Sequence, residues 1–370
     1  MLSKEIIKQY NQTGNKVDFL LNYSIRSDES WKVLSSICKQ IHLNVGTSFS
    51  GIGAPEYALK RLGINSNILF AGDIDEFCKT SYFNNYKISE KQWHSDVKKF
   101  NADIFKDKVD LFIGGSPCQS FSIGGKRKGF AESRGTLFYE YARLVNECQP
   151  KVFIYENVTG LMNHDHGNTW EVVRNTFDEL GYVWTYWVLN SKDFGIPQNR
   201  KRVFVVGFRK DLEVFFTKLE KPKESALTYE VEDVLEDNVP NKYYLPQKGF
   251  ERVIDPKQLR HVKVNGKIAR TQIANQQYNW YGDMRFESDV PQRIESDERI
   301  YKNFYQGIRG VARCLTPREC LRLMGFDDNF CISVNDQQMY KQCGNSIVVN
   351  VLMEVMKSII KTGIYNVEQK

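Results

Sequence analysis

The chain has 370 residues, of which 41% are hydrophobic and 26% charged, an ordinary globular composition with length enough for a large core. Its formal net charge of +6, from 51 Lys and Arg against 45 Asp and Glu, is compatible with a polyanionic partner but too small to establish one. Lys4, Glu5, Lys8, Asp18 and Arg26 leave no room for an apolar signal core, and no run of eighteen apolar residues points to a membrane span. The eight cysteines form no Cys-x-x-Cys pair and no His cluster accompanies them, so a reduced, metal-free, cytoplasmic chain is expected.

Residues 1–40 read as a helical extension. Short apolar runs then predict strands at Leu43–Phe49, Ile68–Gly72, Leu111–Gly114, Val152–Tyr155, Tyr182–Leu189 and Val203–Phe208. Amphipathic runs between them predict helices at Pro55–Leu62, Glu76–Asn84, Leu137–Cys148 and Thr169–Leu180; in the last, Val172, Val173, Phe177 and Leu180 share one face. Strands alternating with helices argue for an α/β, doubly wound, mostly parallel sheet covered on both sides, in preference to an α+β arrangement of the same elements. From about Arg209 to Gly310 the alternation stops, and polar sequence studded with aromatics follows, as in Asn241-Lys242-Tyr243-Tyr244 and Tyr278-Asn279-Trp280-Tyr281-Gly282. Helical sequence returns at Pro317–Met324 and at Ser346–Ile360, where Ile347, Val348, Val351, Leu352, Val355 and Ile359 form an apolar stripe. The expected organisation is an extension over 1–40, a main domain over 41–208, an irregular insert over 209–311, and a segment over 312–370 that completes the main domain.

Phe49-Ser50-Gly51-Ile52-Gly53-Ala54-Pro55 follows one predicted strand and opens a helix. Glycines there let backbone approach a ligand, Pro55 suits a first helical turn, and Asp73 at the end of the next strand is placed to hydrogen-bond a ribose. A lone Gly-x-Gly is also just a tight turn. The missing last glycine and the absence of a second βαβ half favour a cofactor with a single nucleoside, such as S-adenosylmethionine, over a dinucleotide. Asp96 is placed to reach an adenine amino group, or is a plain loop acid.

Val109–Ile113 runs into Gly114-Gly115-Ser116-Pro117-Cys118-Gln119, which sets Cys118 at a strand end with Pro117 fixing the backbone before it. Nearby positive charge would make that thiol a nucleophile. The glycine-rich, cationic stretch that follows, with Ser122, Lys126, Arg127 and Lys128, reads as a lid over an anionic backbone or as a solvated loop. In Tyr155-Glu156-Asn157-Val158 a carboxylate stands where a strand is expected to stop, as a proton donor or hydrogen-bonding acid or simply as a surface glutamate. In Gln198-Asn199-Arg200-Lys201-Arg202 the two arginines alternate, and so are expected to share a face and to hold phosphate, hold a carbonyl, or favour the thiolate.

With these segments in this order, the chain resembles the bacterial DNA (cytosine-5) methyltransferases from about residue 43 to the C-terminal helix. Leu315-Thr316-Pro317-Arg318-Glu319-Cys320 and Gly344-Asn345-Ser346 extend the match. The resemblance implies a Rossmann-like, S-adenosylmethionine-dependent domain with a smaller inserted target-recognition domain. It implies methyl transfer to C5 of a cytosine flipped out of double-stranded DNA, through a covalent Cys118–C6 adduct, leaving S-adenosylhomocysteine. Phe49, Gly51, Ile52, Gly53, Asp73, Ile74, Asp96, Val97, Pro117, Asn345 and Ser346 would line the cofactor pocket. Cys118 matches the nucleophile, Glu156 the acid facing cytosine N3, Arg202 a cytosine-holding arginine, and Arg200 its support; these four make up the expected catalytic set. Ser122, Lys126, Arg127, Lys128 and Arg134 would belong to the DNA-closing segment, Leu315–Gly325 to a scaffold of the recognition domain.

The departures lie on the cofactor side: Thr47 in place of an acid, Ala54 of a glycine, Ile74 of a bulkier residue, and Asp73 of a longer glutamate. A monomer associated with the nucleoid is expected, beside a cognate restriction endonuclease or as a solitary or phage methylase. Three other readings remain. A tRNA cytosine-5 methyltransferase usually carries a Cys-Phe-Thr signature, absent here; a non-catalytic DNA-binding protein would give Cys118, Glu156 and Arg202 no purpose; a nicotinamide oxidoreductase would use only the glycine motif.

Overall fold

Apolar runs of four to seven residues bounded by polar turns can be buried on both faces only in the middle of a sheet, and that is where Leu111–Gly114 lies, with all four residues buried. The structure, a computed structural model, describes residues 16–26, 31–117, 137–258, 260–277 and 280–366. The chain divides into two compact units, one drawn from residues 25–190, 201–224 and 349–370, the other from 1–24, 191–200 and 225–348.

Helix α1 (Lys16–Arg26) falls almost wholly in the second unit, and α2 (Trp31–Gln40) in the first. The strands of the first unit are β1 (His42–Ser48), β2 (Asn65–Gly72), β3 (Trp93–His94), β4 (Leu111–Gly114), β5 (Val152–Val158), β6 (Tyr182–Asn190) and β7 (Lys201–Arg209). They form one sheet in the order β3-β2-β1-β4-β5-β7-β6. Neighbours from β3 to β5 run parallel, and β7 lies antiparallel between β5 and β6, so the doubly wound, mostly parallel expectation holds. Connecting helices are α3 (Ala54–Leu62), α4 (Glu76–Asn85), α5 (Leu137–Cys148), α6 (Asn168–Glu179) and the short α7 (Glu213–Phe216). On α5, Phe138, Tyr141, Ala142, Val145 and Cys148 recur at helical spacing and are buried with Phe112, Phe153, Tyr155 and Phe177. Each such large buried side chain contributes about 1.5–3 kcal/mol.

The strands outrun their apolar cores. β2 begins at the exposed Asn65, Ser66 and Asn67 because the ladder to His42–Asn44 extends that far, and β5 continues through Val158, so Glu156 lies inside a strand and not at its end. The two-residue β3 is too short to show a period and was not expected.

The second unit contains α8 (Gln247–Ile254), β8 (Val262–Val264), β9 (Gly282–Glu287), α9 (Gln292–Glu295), β10 (Lys302–Tyr305), β11 (Ile308–Cys314), α10 (Pro317–Arg322) and α11 (Asp336–Asn345). The expected irregular insert is in fact built on a four-stranded sheet, β10-β11-β9-β8, whose hairpin turns at Gln306-Gly307 with both residues left-handed. Tyr244, Phe250, Val311 and Met284 are buried in its cores, and Tyr243 and Trp280 pack against them, so these aromatics serve structure. The division falls at 224/225 and 348/349, not at the expected 208/209 and 311/312. Strand β11 crosses the expected boundary, and Arg313 on it ion-pairs with Glu287 and Glu319, which fastens residues beyond 311 to the small sheet.

After α11 the chain returns to the first unit in α12 (Val349–Lys361), where Asn350 accepts a hydrogen bond from Arg61 at 2.6 Å. Among the described residues the stretch Asp336–Lys361 reaches the length and mean apolarity of a membrane span, but it is two helices of 10 and 13 residues separated by 346–348, and 78% of its most apolar part is buried, as in a core helix.

Candidate active site

In an open α/β sheet, ligands sit beyond the carboxyl ends of the strands where the strand order reverses, which here is between β1 and β4. The turn leaving β1 is wound tightly: Phe49, Gly51 and Gly53 all have left-handed φ, at 56°, 54° and 77°. Glycine adopts this freely, whereas Phe49 stores about 1–3 kcal/mol of strain. The turn is sewn to the end of β2, with the Ser50 amide donating to Gly72 O at 2.9 Å and the Gly72 amide to Ser50 Oγ at 2.9 Å. Asp73 accepts from the Gly51 amide and from the Asp75 amide, each at 3.0 Å, so its carboxylate is fixed beside the turn.

A Cβ built on Gly51 would meet nothing within 4 Å, whereas at Gly53 it would run into the Tyr86 ring. The turn therefore has an open side at Gly51, bordered by the Asp73 carboxylate, and this fits a nucleoside-bearing ligand. Phe49 is half-buried against the core, Ile74 is 80% exposed, and Ile52 is 1% exposed, so the Ile52 side chain belongs to the core and only its backbone is available to a ligand. Val97 also packs on the core, while Asp96 accepts from the Lys98 amide at 3.0 Å. His94, at the end of β3, lies 3.1 Å from Ser48 Oγ, and burial holds its imidazole down to about 4.

The turn leaving β4 is braced from β5. Asn157 donates to Ser116 O at 2.9 Å and to the Tyr155 hydroxyl at 2.7 Å, and the Ser116 and Tyr155 hydroxyls are 2.9 Å apart. A Cβ on Gly115 would come within 2.7 Å of Glu156 O and 3.2 Å of Glu156 Oε2, so only glycine lets this turn pass the carboxylate so closely. Pro117, exposed, is the last described residue before Cys118. Cys118, Ser122, Lys126, Arg127, Lys128 and Arg134 lie outside the described residues.

Because β7 runs against β5, the start of β7 meets the end of β5. In that register Val158 faces Arg202 and Glu156 faces Phe204, which makes Glu156 and Arg202 diagonal neighbours. Arg202 Nε lies 3.2 Å from Glu156 Oε1, and the two side chains are only 14% and 12% exposed. Arg202 also donates to Lys201 O at 2.8 Å. Reduced solvent around such a pair strengthens the attraction.

Arg200, in the second unit, differs from the expectation that it shares a face with Arg202. It is 4% exposed and donates to the carbonyls of Gln272 at 2.7 Å, Gly344 at 3.1 Å and Ser346 at 2.8 Å. Strand β7 begins only at Lys201, so strand alternation does not reach back to Arg200. In the same unit, Asn345 ends α11 and is exposed, while Ser346 is 8% exposed with its hydroxyl donating to Ile347 O at 3.1 Å.

Sequence reasoning missed the bracing set of Ser116, Tyr155 and Asn157, and a group behind the β1 turn in which Thr47, Glu56 and Tyr82 are buried and Tyr86 is partly buried. One available signal was Glu56 itself, an acid amid the otherwise apolar run Ala54–Leu59, every residue of which is buried.

The family of C-5 cytosine-specific DNA methylases matches residues 44–361. Type II methyltransferase M.HhaI of Haemophilus parahaemolyticus is 37% identical, over 84% of this chain and 92% of its own length. Orphan methyltransferase M.SPRI of Bacillus phage SPR is 32% identical, over 87% of this chain and 98% of its own length. The crystal structure of the S. pombe Dnmt2 methyltransferase superposes with a TM-score of 0.64 over 86% of this chain and 98% of its own, at 21% identity, a likeness of fold alone.

Proposed function

The chain belongs to the C-5 cytosine-specific DNA methylase family and is a DNA cytosine-5-methyltransferase, and from that premise we propose that it methylates a cytosine flipped from a specific short duplex sequence, with Cys118 as nucleophile. S-adenosylmethionine, the methyl donor general to the family, supplies an electrophilic methyl group. Phe49, Gly51, Gly53 and Asp73 would hold it at the β1 turn, with Ile74 and Asp96 towards its adenine. No metal has a part in this scheme.

Cytosine C5 is too weakly nucleophilic to take a methyl group unaided. Addition of the Cys118 thiolate to C6 places electron density on C5, and a proton shared from Glu156 to N3 stabilises that charge as it develops. Arg202, paired with Glu156, would hold the cytosine carbonyl. After C5 is methylated, loss of its proton expels Cys118. Attack on one ring face and methyl delivery to the other require the base to leave the stack, at a cost of a few kcal/mol. The cationic segment with Ser122, Lys126, Arg127, Lys128 and Arg134, and the small-sheet unit, would offset that cost through phosphate and base-edge contacts.

The observation that carries this reading is the half-buried Glu156–Arg202 pair beside Gly115, on the turn that leads to Cys118. We take the protein to act as a monomer on chromosomal or phage DNA in the cytoplasm. M.HhaI is named a type II enzyme and M.SPRI an orphan one, so a cognate endonuclease and solitary action are both open to this chain.

Bisulfite sequencing of DNA from cells expressing the chain tests activity and target together. We expect methylation at one short sequence, abolished by Cys118→Ser, and covalent capture of the wild type on duplexes carrying 5-fluorocytosine. Methylation of tRNA and not of duplex DNA, or a Cys118→Ser variant that still turns over, would overturn the reading.

A further inference from the structure

Behind the β1 turn lies a carboxyl group that the proposed chemistry does not use. Glu56, in the first turn of α3, is 3% exposed. Its Oε1 accepts from the Tyr82 hydroxyl of α4 at 2.6 Å and from the Thr47 hydroxyl of β1 at 2.8 Å. Thr47 Oγ1 is also 2.9 Å from Ser50 Oγ. Thr47 has one hydroxyl proton and gives it to Glu56, so Ser50 must be the donor in that second bond. Ser50 Oγ in turn accepts from the Gly72 amide at 2.9 Å. The bonds therefore all point one way, from β2 through the turn and β1 to a single acidic oxygen, an arrangement in which each bond polarises the next.

Tyr86 completes the support. Its one hydroxyl proton goes to Gly53 O at 2.6 Å, with Ile52 O a weaker second acceptor at 3.2 Å, and its ring packs on Tyr82 with centroids 4.7 Å apart. Two buttresses thus meet on one turn: the relay ending at Glu56 fixes Ser50, and Tyr86 fixes Ile52 and Gly53. Between them stands Gly51, whose amide meets Asp73. Phe49, Gly51 and Gly53 must all stay left-handed for that contact to exist, and an unbraced turn would relax out of this conformation.

We infer that Glu56 is a positioning residue for the cofactor turn: as the terminal acceptor of the Gly72–Ser50–Thr47 relay it holds the turn in its ligand-binding shape, without touching the reacting atoms. The inference rests on the reading that this turn binds S-adenosylmethionine. It assigns a cofactor-binding task to a residue outside the glycine motif, and it gives Thr47 a function as the link that carries the carboxyl's hold to Ser50.

Three variants test it: Glu56→Ala removes the acceptor, Thr47→Val removes the link at nearly constant volume, and Glu56→Gln keeps an acceptor oxygen. Affinity for S-adenosylhomocysteine is read by calorimetry without DNA, beside kcat, KM for S-adenosylmethionine and Tm. Breaking one buried hydrogen bond in the relay should weaken binding and raise KM about tenfold for E56A and T47V, with kcat at saturation within about twofold of wild type. E56Q should recover most of the affinity. If E56A does not fold, T47V carries the test. Wild-type affinity in folded E56A or T47V overturns the inference, as does a drop in Tm with affinity unchanged, which would mark a merely structural role. Loss of kcat in E56Q overturns it as well, since the charge would then act in the chemistry. Failure of the wild type to bind S-adenosylhomocysteine would instead remove the cofactor reading on which the inference stands.

Discussion

Arg200 and Arg202 stand two positions apart in one polar segment, and their surroundings could hardly differ more. Arg200 is buried and gives its hydrogen bonds to the carbonyls of Gln272, Gly344 and Ser346. Arg202 sits at the start of a strand, with its guanidinium against the Glu156 carboxylate. The first ties together backbone from three stretches of its unit, close to where Gly344 packs so tightly that a Cβ would strike the Ile273 backbone. The second meets a group that can change protonation during a reaction. Three neutral carbonyls cannot do that, so an arginine bonded to them acts on shape, whereas one paired with a carboxylate can act on chemistry.

The sharpest way to break this contrast is to remove Arg202. Arg202→Ala should lower kcat about 10²–10⁴-fold, since it removes the guanidinium beside Glu156 and leaves the developing charge less stabilised. The Tm should fall by less than in Arg200→Ala, since one charged partner and not three buried carbonyls is left behind, although the pair is only 14% and 12% exposed. Bisulfite-quantified turnover with a parallel melt checks both halves of this expectation; a collapse of Tm would show that Arg202 is structural like its neighbour.

Arg200→Ala should show the opposite pattern. Three buried carbonyls lose their donor together, and at about 1–3 kcal/mol for an unsatisfied buried group the loss of stability should reach a few kcal/mol. Urea unfolding reads this directly. The folded fraction should keep more of its kcat than Arg202→Ala does. Equal catalytic loss in both variants, with Arg200→Ala fully stable, would erase the distinction.

How far the sequence reached follows the same physics. Apolar runs and helical spacing place β4 and α5 to the residue, because burial on both faces or along one stripe leaves a clear pattern. The strand ends were hidden, since Asn65–Asn67 and Lys201 join their ladders through backbone bonds that side-chain polarity does not reveal. The motif residues Gly51, Gly115, Glu156 and Arg202 could be picked out because unusual residue types follow or close apolar runs, although Glu156 lies inside β5. Arg200 looked identical to Arg202 in sequence, and only the partners, 72 to 146 positions away, separate them. Glu56 stayed unseen for the same reason: its meaning lies in Thr47 on β1 and Tyr82 on α4. The small sheet was missed because its strands are short and the core aromatics Tyr244 and Phe250 precede the strands they cover.

The smallest expected effect concerns pH, and it separates the two units by sign. Asp283, in the unit of Arg200, is 7% exposed, and burial pushes its carboxyl up to about 6, although the Arg270 amide and the charges of Lys263, Arg270 and Arg285 pull the other way. The folded state therefore holds this proton more tightly than the unfolded chain, and the stability it brings is full below about pH 4 and is lost as pH rises through about 6. His94, in the unit of Arg202, titrates in the folded state at about 4, so its share is full above the ordinary histidine range near 6.5 and is lost as pH falls towards 4. Each accounts for roughly 1–3 kcal/mol at most, and over pH 4–6 the two slopes oppose each other. Asp283→Asn removes one of them: its Tm relative to wild type should rise from pH 5 to pH 7, as the wild type begins to bear a buried charge that the amide never carries. Parallel Tm curves for the two proteins across that range would mean that Asp283 is ionised throughout, its neighbouring cations outweighing burial.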